Sequence, residues 1–519
     1  MKRTLLTTAF AVIHLLLLAN NIAISNVTIA GNNTANHYSL ISFDLSWDNS
    51  WRVNTGPSNW DAAWVIIKYR VQGQTSWHHA TLHWVDGSGS GDGHTVPGGA
   101  TIASSNDNGA GGAYGVFVYH NSPMNQGSVS YTGTQLRWDY GVDGVAATDL
   151  VEVRVFGMEM VYVPQGSYYL GSGGSEAGAF YSYPDTTQPY HVNSENAITV
   201  GTTNGQLYYK AGVNGDYTGP VPDAFPKGYH AFYCMKYEIT QDQYVAFLNV
   251  LDSVQAIGPS TGAATDIGNT ITVRSGITGW RSDHPLKPGE YTTTSPYVPA
   301  NTSFDNLSAY LDWAALRPMT ELEYEKACRG PVTPVHNEFA WGTPYLAGYD
   351  PTSGTSTSVF YKLSNAGAAN ELVDTNYSVS AGNAIWFFAT PRNPNYFITR
   401  AGAFAANPAS TGRATAGATY YGIMEMTGNM AEQLITMGYP EGRVFTGRCG
   451  DGKLDASGKT DEGWPNASVT WRGSGYKGGF FNTQSPNALM VSDRSTAGDN
   501  FKFLGGKAGA GGRGVRLAP

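Results

Sequence analysis

The stretch Tyr421-Gly-Ile-Met-Glu-Met-Thr-Gly-Asn-Met-Ala-Glu-Gln433 constrains the fold of this chain more than any other. It sets two carboxylates, Glu425 and Glu432, on either side of a Gly428-Asn429 bend inside an otherwise apolar run. Apolar flanks drive the segment inward, and a buried acid has to be paired, protonated or bound to an ion. A hard cation held by both carboxylates and by the backbone carbonyls between them would meet that demand. The competing reading is an exposed Glu425 and a Glu432 that opens a short helix.

What surrounds this stretch is long and sparsely charged. A chain of 519 residues is too long for one ordinary domain and points to two or three. Charged residues make up 14%, against roughly 25% in typical soluble domains. With 64 glycines and 13% aromatics, the composition is that of a β-rich, turn-rich protein. A net charge of −9 without any long basic run argues against nucleic acid as a partner. Lys2 and Arg3 followed by the apolar Leu5–Ala19, with small residues around Ala23 and Ser25, read as a secretory signal over residues 1–25. The apolar run is short for a membrane span and no second candidate follows it, so none is expected after cleavage. No cysteine lies near the signal to carry a lipid. Cys234, Cys328 and Cys449 fit neither a zinc pattern nor a disulfide framework.

Residues 37–156 read as an all-β sandwich. In Tyr38–Trp47, Ile41, Phe43, Leu45 and Trp47 alternate with Ser42, Asp44 and Ser46, the pattern of a half-buried strand. Further runs at Ala62–Val71, Trp77–Val85, Tyr114–His120, Ser128–Trp138 and Asp149–Phe156 are separated by Gly-, Asn-, Asp- and Pro-rich clusters. The tryptophans of this region are assigned to core packing rather than to sugar stacking. His78, His79 and His83 do not make a metal site in a strand, where residues four apart are separated by about 13 Å.

Residues 157–519 read differently. Glu159–Gly171 is a strand, turn and strand, and roughly 171–227 is loop with short hairpins. Thr240 with Gln243 forms a capping box before the apolar stripe Tyr244, Val245, Phe247, Leu248, Leu251. Thr320 with Glu323 forms a second, where Glu321 and Glu323 also favour the positive end of the helix dipole and Gly330 stops the helix. Insertions without clear structure occupy about 252–302. Trp471–Phe481, Ala488–Arg494 and Gly514–Leu517 read as closing strands.

Seven motifs in one order, Met160–Gly166, Tyr237–Thr240, Arg317–Glu325, Trp341-Gly342, Gly422–Glu432, Lys477–Phe480 and Gly514–Arg516, resemble the formylglycine-generating enzyme (sulfatase-modifying factor) family. The resemblance implies a mixed α/β, C-type-lectin-like domain with long loop insertions, to which the N-terminal sandwich is an addition. It also implies a structural calcium ion at the opening stretch. Mapped by position, Glu425 and Glu432 would give side-chain oxygens, and Gly428 and Met430 backbone carbonyls. A second calcium site is implied near 383–395, with no ligands assigned. The family's oxidation chemistry needs two thiolates that hold copper just after its Arg-Gly-Gly-Ser strand. Counted from Gly478-Gly479, those positions are Thr483 and Ala488 here. A hydroxyl and a methyl cannot replace two thiolates, so no formylglycine-generating activity is expected. Neither the histidine triad of the iron-dependent relatives nor a hydrolase or nucleotide-binding motif is present.

The expected function is extracellular binding or recognition by a catalytically inactive, secreted or surface-held protein. Its partner would be a protein or glycan at the cell surface, met by the loops Phe481–Asn487 and Ser495–Gly512. The alternatives are a self-associating subunit of an extracellular filament or surface layer, and an oxidase with a non-standard active site.

Overall fold

A computed structural model describes residues 22–85, 92–211, 215–252, 254–256, 271–273, 291–365, 371–391, 398–465, 472–498 and 509–519. The signal segment up to residue 21 lies outside the described residues, as does 499–508 of the last candidate loop. The chain divides into two units, Met1–Arg52 with Ala62–Met158 and Pro519, and Val53–Asp61 with Glu159–Ala518. β-strands predominate and helices are few.

The first unit contains β1 (Ala23–Asn33), β2 (Tyr38–Arg52), β3 (Asp61–Val71), β4 (His78–His79), β5 (Leu82–His83), β6 (Ala100–Ser104), β7 (Gly112–Ala113), β8 (Val116–His120), β9 (Met124–Trp138) and the start of β10 (Val151–Val163). One sheet runs β1-β2-β9-β5-β7, and β6-β8-β3 form part of another, with β4 on β3. The alternation in β2 sets its face: Ile41, Phe43, Leu45 and Trp47 are all buried, and they share one core with Ala63, Val65 and Ile67 of β3, Ile102 of β6, and Val116 and Val118 of β8. Each such side chain contributes about 1.5–3 kcal/mol by burial, and a one-residue slip would turn the whole row to solvent. Two strands depart from the sequence reading. β1 holds Ala23 and Ser25 and pairs with β2, ahead of the expected start at residue 37. β6 lies in a stretch bounded by turn-rich clusters that hid its Ala100, Ile102 and Ser104 alternation.

His79 Nε2 meets the Tyr114 carbonyl at 2.5 Å, and His83 Nδ1 pairs with Asp139. His94 gives the unit one source of acid sensitivity. Its Nδ1 accepts the Arg137 N–H at 3.0 Å, a bond open only to an unprotonated nitrogen. Burial pushes its pKa from 6.5 down to about 4, against the pull of Asp92. The unfolded chain therefore binds the extra proton first. His94 stabilises the fold fully above pH 6.5, and that contribution drains away as pH falls towards 4. At 1.36 kcal/mol per unit the loss is roughly 3 kcal/mol. His94→Gln should flatten the acid limb of the denaturation curve between those pH values; an unchanged limb would assign it to other groups.

Two of the sheets in the second unit position the candidate site. In one, β12 (Arg317–Pro318), β16 (Gly514–Leu517), β11 (Phe232–Met235) and the end of β10 lie side by side, with Arg317 opposite Val515, Phe232 opposite Leu517 and Met160 opposite Met235. In the other, β13 (Ala431–Ile435) lies between β14 (Ser474–Lys477) and β15 (Ala510–Gly511). Both predicted capping boxes are present. They start α1 (Gln241–Leu248) and α3 (Glu321–Arg329), and Gly330 closes α3 at φ +68°. A third helix, α2 (Phe304–Trp313), escaped the sequence reading. Its cap, Ser303, is followed by Asn306 rather than Glu or Gln at the third position, so the reciprocal signal is missing. The expected strand at Ala488–Arg494 is instead a 3-10 turn, Pro486–Leu489, followed by turns. Pro486 starts that turn, and the segment's amides bond singly: Val491 N to the Glu338 carbonyl and Arg494 N to that of Ala177.

Candidate functional site

The segment 421–433 is buried as its pattern demands, and the competing reading fails on both counts. Glu425 is 5% exposed, and Glu432 is fully buried within strand β13 rather than at the head of a helix. The bend depends on Gly428. At φ +74°, an added Cβ would lie 2.3 Å from the Ile385 carbonyl oxygen, so only glycine fits. Gly428 N donates to the Gly478 carbonyl and Asn429 N to that of Ile385, each at 2.8 Å. Sequence reasoning missed the residue that clamps the bend from the other side. The Glu238 carboxylate, fully buried, accepts from Asn429 Nδ2 and from Met430 N, both at 3.0 Å. Glu238 follows Tyr237 in a matched motif, but nothing in its spacing ties it to a segment 191 residues away.

Three acids thus line this region. Glu425 Oε1 accepts the Gly402 N–H at 2.8 Å, while its Oε2 is buried without a partner. Glu432 Oε1 accepts from Arg513 Nε at 2.7 Å and from Nη2, and its Oε2 is also unpartnered. Arg513 reaches Glu432 because it sits between β15 and β16, the two strands that insert into different sheets. Burial pushes Glu425 up to about 7 despite the Gly402 N–H. Burial, with the Glu432 charge added, raises Glu238 well above the usual carboxylate range. Burial also raises Glu432 against the pull of Arg513. The donor chemistry suits a hard cation: two buried carboxylate oxygens lack any donor, and the cations set against these three acids are the fully buried Arg513 and, at Glu425, Arg400 as well. Met430 packs with Val298 and Ile398 beside them.

Part of the region of the implied second calcium site lies within the described residues. Asn383 is spent on structure, accepting from Ser378 N and donating to the Ser378 and Thr415 carbonyls, and 392–397 lies outside the described residues.

The positions that the resemblance assigns to thiolates lie just beyond β14. Thr483 Oγ1 accepts the Phe480 N–H at 2.8 Å, and the Thr483 carbonyl accepts from Phe387 N at 3.3 Å. Ala488 lies in the 3-10 turn. All three cysteines are free thiols. Cys234, in β11, and Cys328, in α3, are fully buried, and burial pushes Cys234 far above the thiol range and Cys328 to about 12. Such thiols are held in the inert, protonated form. Cys449 is half-buried.

Behind the site, α3 is buried along its whole length and its three glutamates each take a cation. Glu321 pairs with Arg494, Glu323 with Arg317, and Glu325 with both Arg329 and Lys477. Sequence reasoning assigned Glu321 and Glu323 only to the helix dipole and the cap. Their partners lie far off in sequence or, for Arg317, just outside the helix.

The model of one family, described as the sulfatase-modifying factor enzyme 1-like domain, matches residues 149–477. The match takes in β13 and Glu238 and stops short of Thr483 and Ala488. A search of curated proteins gave no match.

Proposed function

This chain belongs to the sulfatase-modifying factor enzyme 1-like domain family, and from that membership we propose that it is a non-catalytic member acting in extracellular binding or recognition. The observation that carries this reading is the placement of the thiols. Counted from Gly478-Gly479 as the resemblance implies, Thr483 and Ala488 would stand in place of the copper-holding pair, and Cys234 and Cys328 are sealed in the core. The same fold remains suited to binding. Asn482, Gln484, Ser485 and Asn487 are exposed around Thr483, and Phe387, bonded to Thr483 through its backbone, is 42% exposed. An exposed aromatic beside a polar loop is the chemistry of a glycan or protein contact. The lectin-like scaffold supplies rigidity beneath the loop. In this reading the first unit, whose buried side chains share one core, is an added β-sandwich. Export rests on the signal read at residues 1–25, and no helix among the described residues is long and apolar enough to cross a membrane.

Calcium belongs to this proposal as a brace, held by Glu425 and Glu432 with the Gly428 and Met430 carbonyls. When bound, it would supply charge compensation to a buried turn and no chemistry of its own. The activity test is direct. Incubated with copper and a cysteine-bearing sulfatase peptide, the protein should leave the thiol mass unchanged, and any formylglycine would overturn the non-catalytic reading. A glycan array together with a surface-protein pull-down should return a specific ligand, and silence in both would count against recognition.

A further inference from the structure

Away from Glu425, the described residues bring together a second set of acids. Asp312 near the end of α2 meets Asp451, Asp461 and Glu462 of the loop after α4 (Pro440–Arg443), and one carboxylate oxygen from each lies within 4.8 Å of the others. We propose that these four carboxylates form a calcium site that pins the 451–462 loop to α2, separate from the site at Glu425 and Glu432.

The backbone gathers these acids. Gly450 has no side chain, and a Cβ there would lie 2.4 Å from Asp312 Cα, so the loop can press against the helix only with glycine at that point. Gly450 N then donates to the Leu316 carbonyl at 2.8 Å, Gly452 N to the Asp312 carbonyl at 3.0 Å, and Asp451 N to Asp312 Oδ1 at 3.2 Å. The far side of the loop is held too. Gln255 Nε2 donates to the Asp455 carbonyl at 3.1 Å, and Gly458 packs against the Gln255 backbone where a Cβ would lie 1.9 Å from its carbonyl oxygen. These contacts fix the carboxylates in place before any ion arrives.

Two independent observations call for a cation there. Asp312 is fully buried; its Oδ1 accepts the Asp451 N–H, the Thr460 hydroxyl lies near the carboxylate, and its Oδ2 has no hydrogen-bond partner in good geometry. A buried carboxylate oxygen without a donor is costly to keep. The charges do not balance either. Arg448 Nε lies 2.8 Å from Glu462 Oε2, and Lys453 Nζ lies 3.6 Å from Asp451 Oδ2; both basic side chains are about two-thirds exposed. Two cations against four carboxylates leave two negative charges, the charge of one divalent ion. An all-oxygen, mostly carboxylate donor set is the kind that calcium takes, binding six to eight oxygens at about 2.3–2.6 Å in flexible geometry, and four oxygens within 4.8 Å of one another lie within reach of one such ion.

Terbium, as a luminescent calcium substitute, is a suitable probe, because Trp464 lies two residues from Glu462 with its Nε1 donating to the Arg448 carbonyl at 3.1 Å. Terbium added to the full chain should give tryptophan-sensitised emission that calcium displaces. Asp461→Asn, at an exposed position that the fold tolerates, should weaken that emission at least tenfold and remove one calcium from the stoichiometry by calorimetry. Glu425→Gln should leave the emission intact, which separates this site from the other. In the wild-type chain, calcium should slow tryptic cleavage at Lys453 and Lys459 at least tenfold relative to chelator. The proposal is overturned if Asp461→Asn and Asp451→Asn both bind with wild-type stoichiometry and emission, or if the two cleavages proceed equally fast with and without calcium.

Discussion

Replacing Arg494 by leucine is expected to cost the second unit about 3–5 kcal/mol, the range for removing one partner of a buried ion pair. Arg494 is fully buried, with its Nε 2.6 Å from Glu321 Oε2 and its Nη2 3.0 Å from Oε1. Its guanidinium also lies over the rings of Phe180 and Tyr209, at 4.0 and 4.5 Å from their centroids. Without it, the Glu321 carboxylate would keep only the Thr436 hydroxyl and the Met437 N–H, each at 2.8 Å, in a site with no water access. The cost is therefore chiefly that of stranding a charge. The control follows from the same argument: Glu321→Gln added to Arg494→Leu should recover part of the loss by removing the stranded charge. Urea denaturation of both variants is the measurement. A single variant within 1 kcal/mol of wild type would mean that the pair carries little of the unit's stability.

The network around Arg494 also marks the limit of what the sequence discloses. Local signals were legible wherever they are repeated over a few residues. The alternation of β2 and the capping boxes at Thr240 and Thr320 are of this kind, as is the burial of 421–433 between apolar flanks. Each follows from a period or a fixed offset. What escaped is long-range. Glu238 bonds residues more than 190 positions away, and Arg513 reaches Glu432 only because its flanking strands enter two sheets. Asp312 meets Asp451 because Gly450 lets the chain approach it. No spacing rule connects such pairs, since the topology that joins them is itself the unknown. The Ala488–Arg494 error has the opposite cause. Its apolar run, Ala488 to Val491, looks like a strand, but Pro486 starts a turn and the run is buried by turns rather than by pairing.

The largest ligand-dependent effect should come from calcium at Glu425 and Glu432. It is best read in an Asp461→Asn background, where the Asp312 group no longer contributes. An ion that binds only the folded state stabilises it by RT ln(1 + [L]/Kd), about 4 kcal/mol at a thousandfold excess over Kd. In that background, adding calcium to the chelated chain should raise the denaturation midpoint by an amount that grows with the logarithm of calcium concentration. Glu425→Gln should abolish the response. Its amide oxygen can still accept the Gly402 N–H that Glu425 Oε1 accepts at 2.8 Å, so the fold keeps its bond and loses only the charge. The chelated variant should be at least as stable as the chelated parent, because the parent has to bury Glu425 Oε2 with nothing to meet it. Glu432→Ala is a poorer probe, since it would strand Arg513 and destabilise the chain whether or not an ion binds. If Glu425→Gln still responds to calcium as its parent does, Glu425 and Glu432 do not hold the ion, and burial of the acids in their protonated forms is what closes the turn.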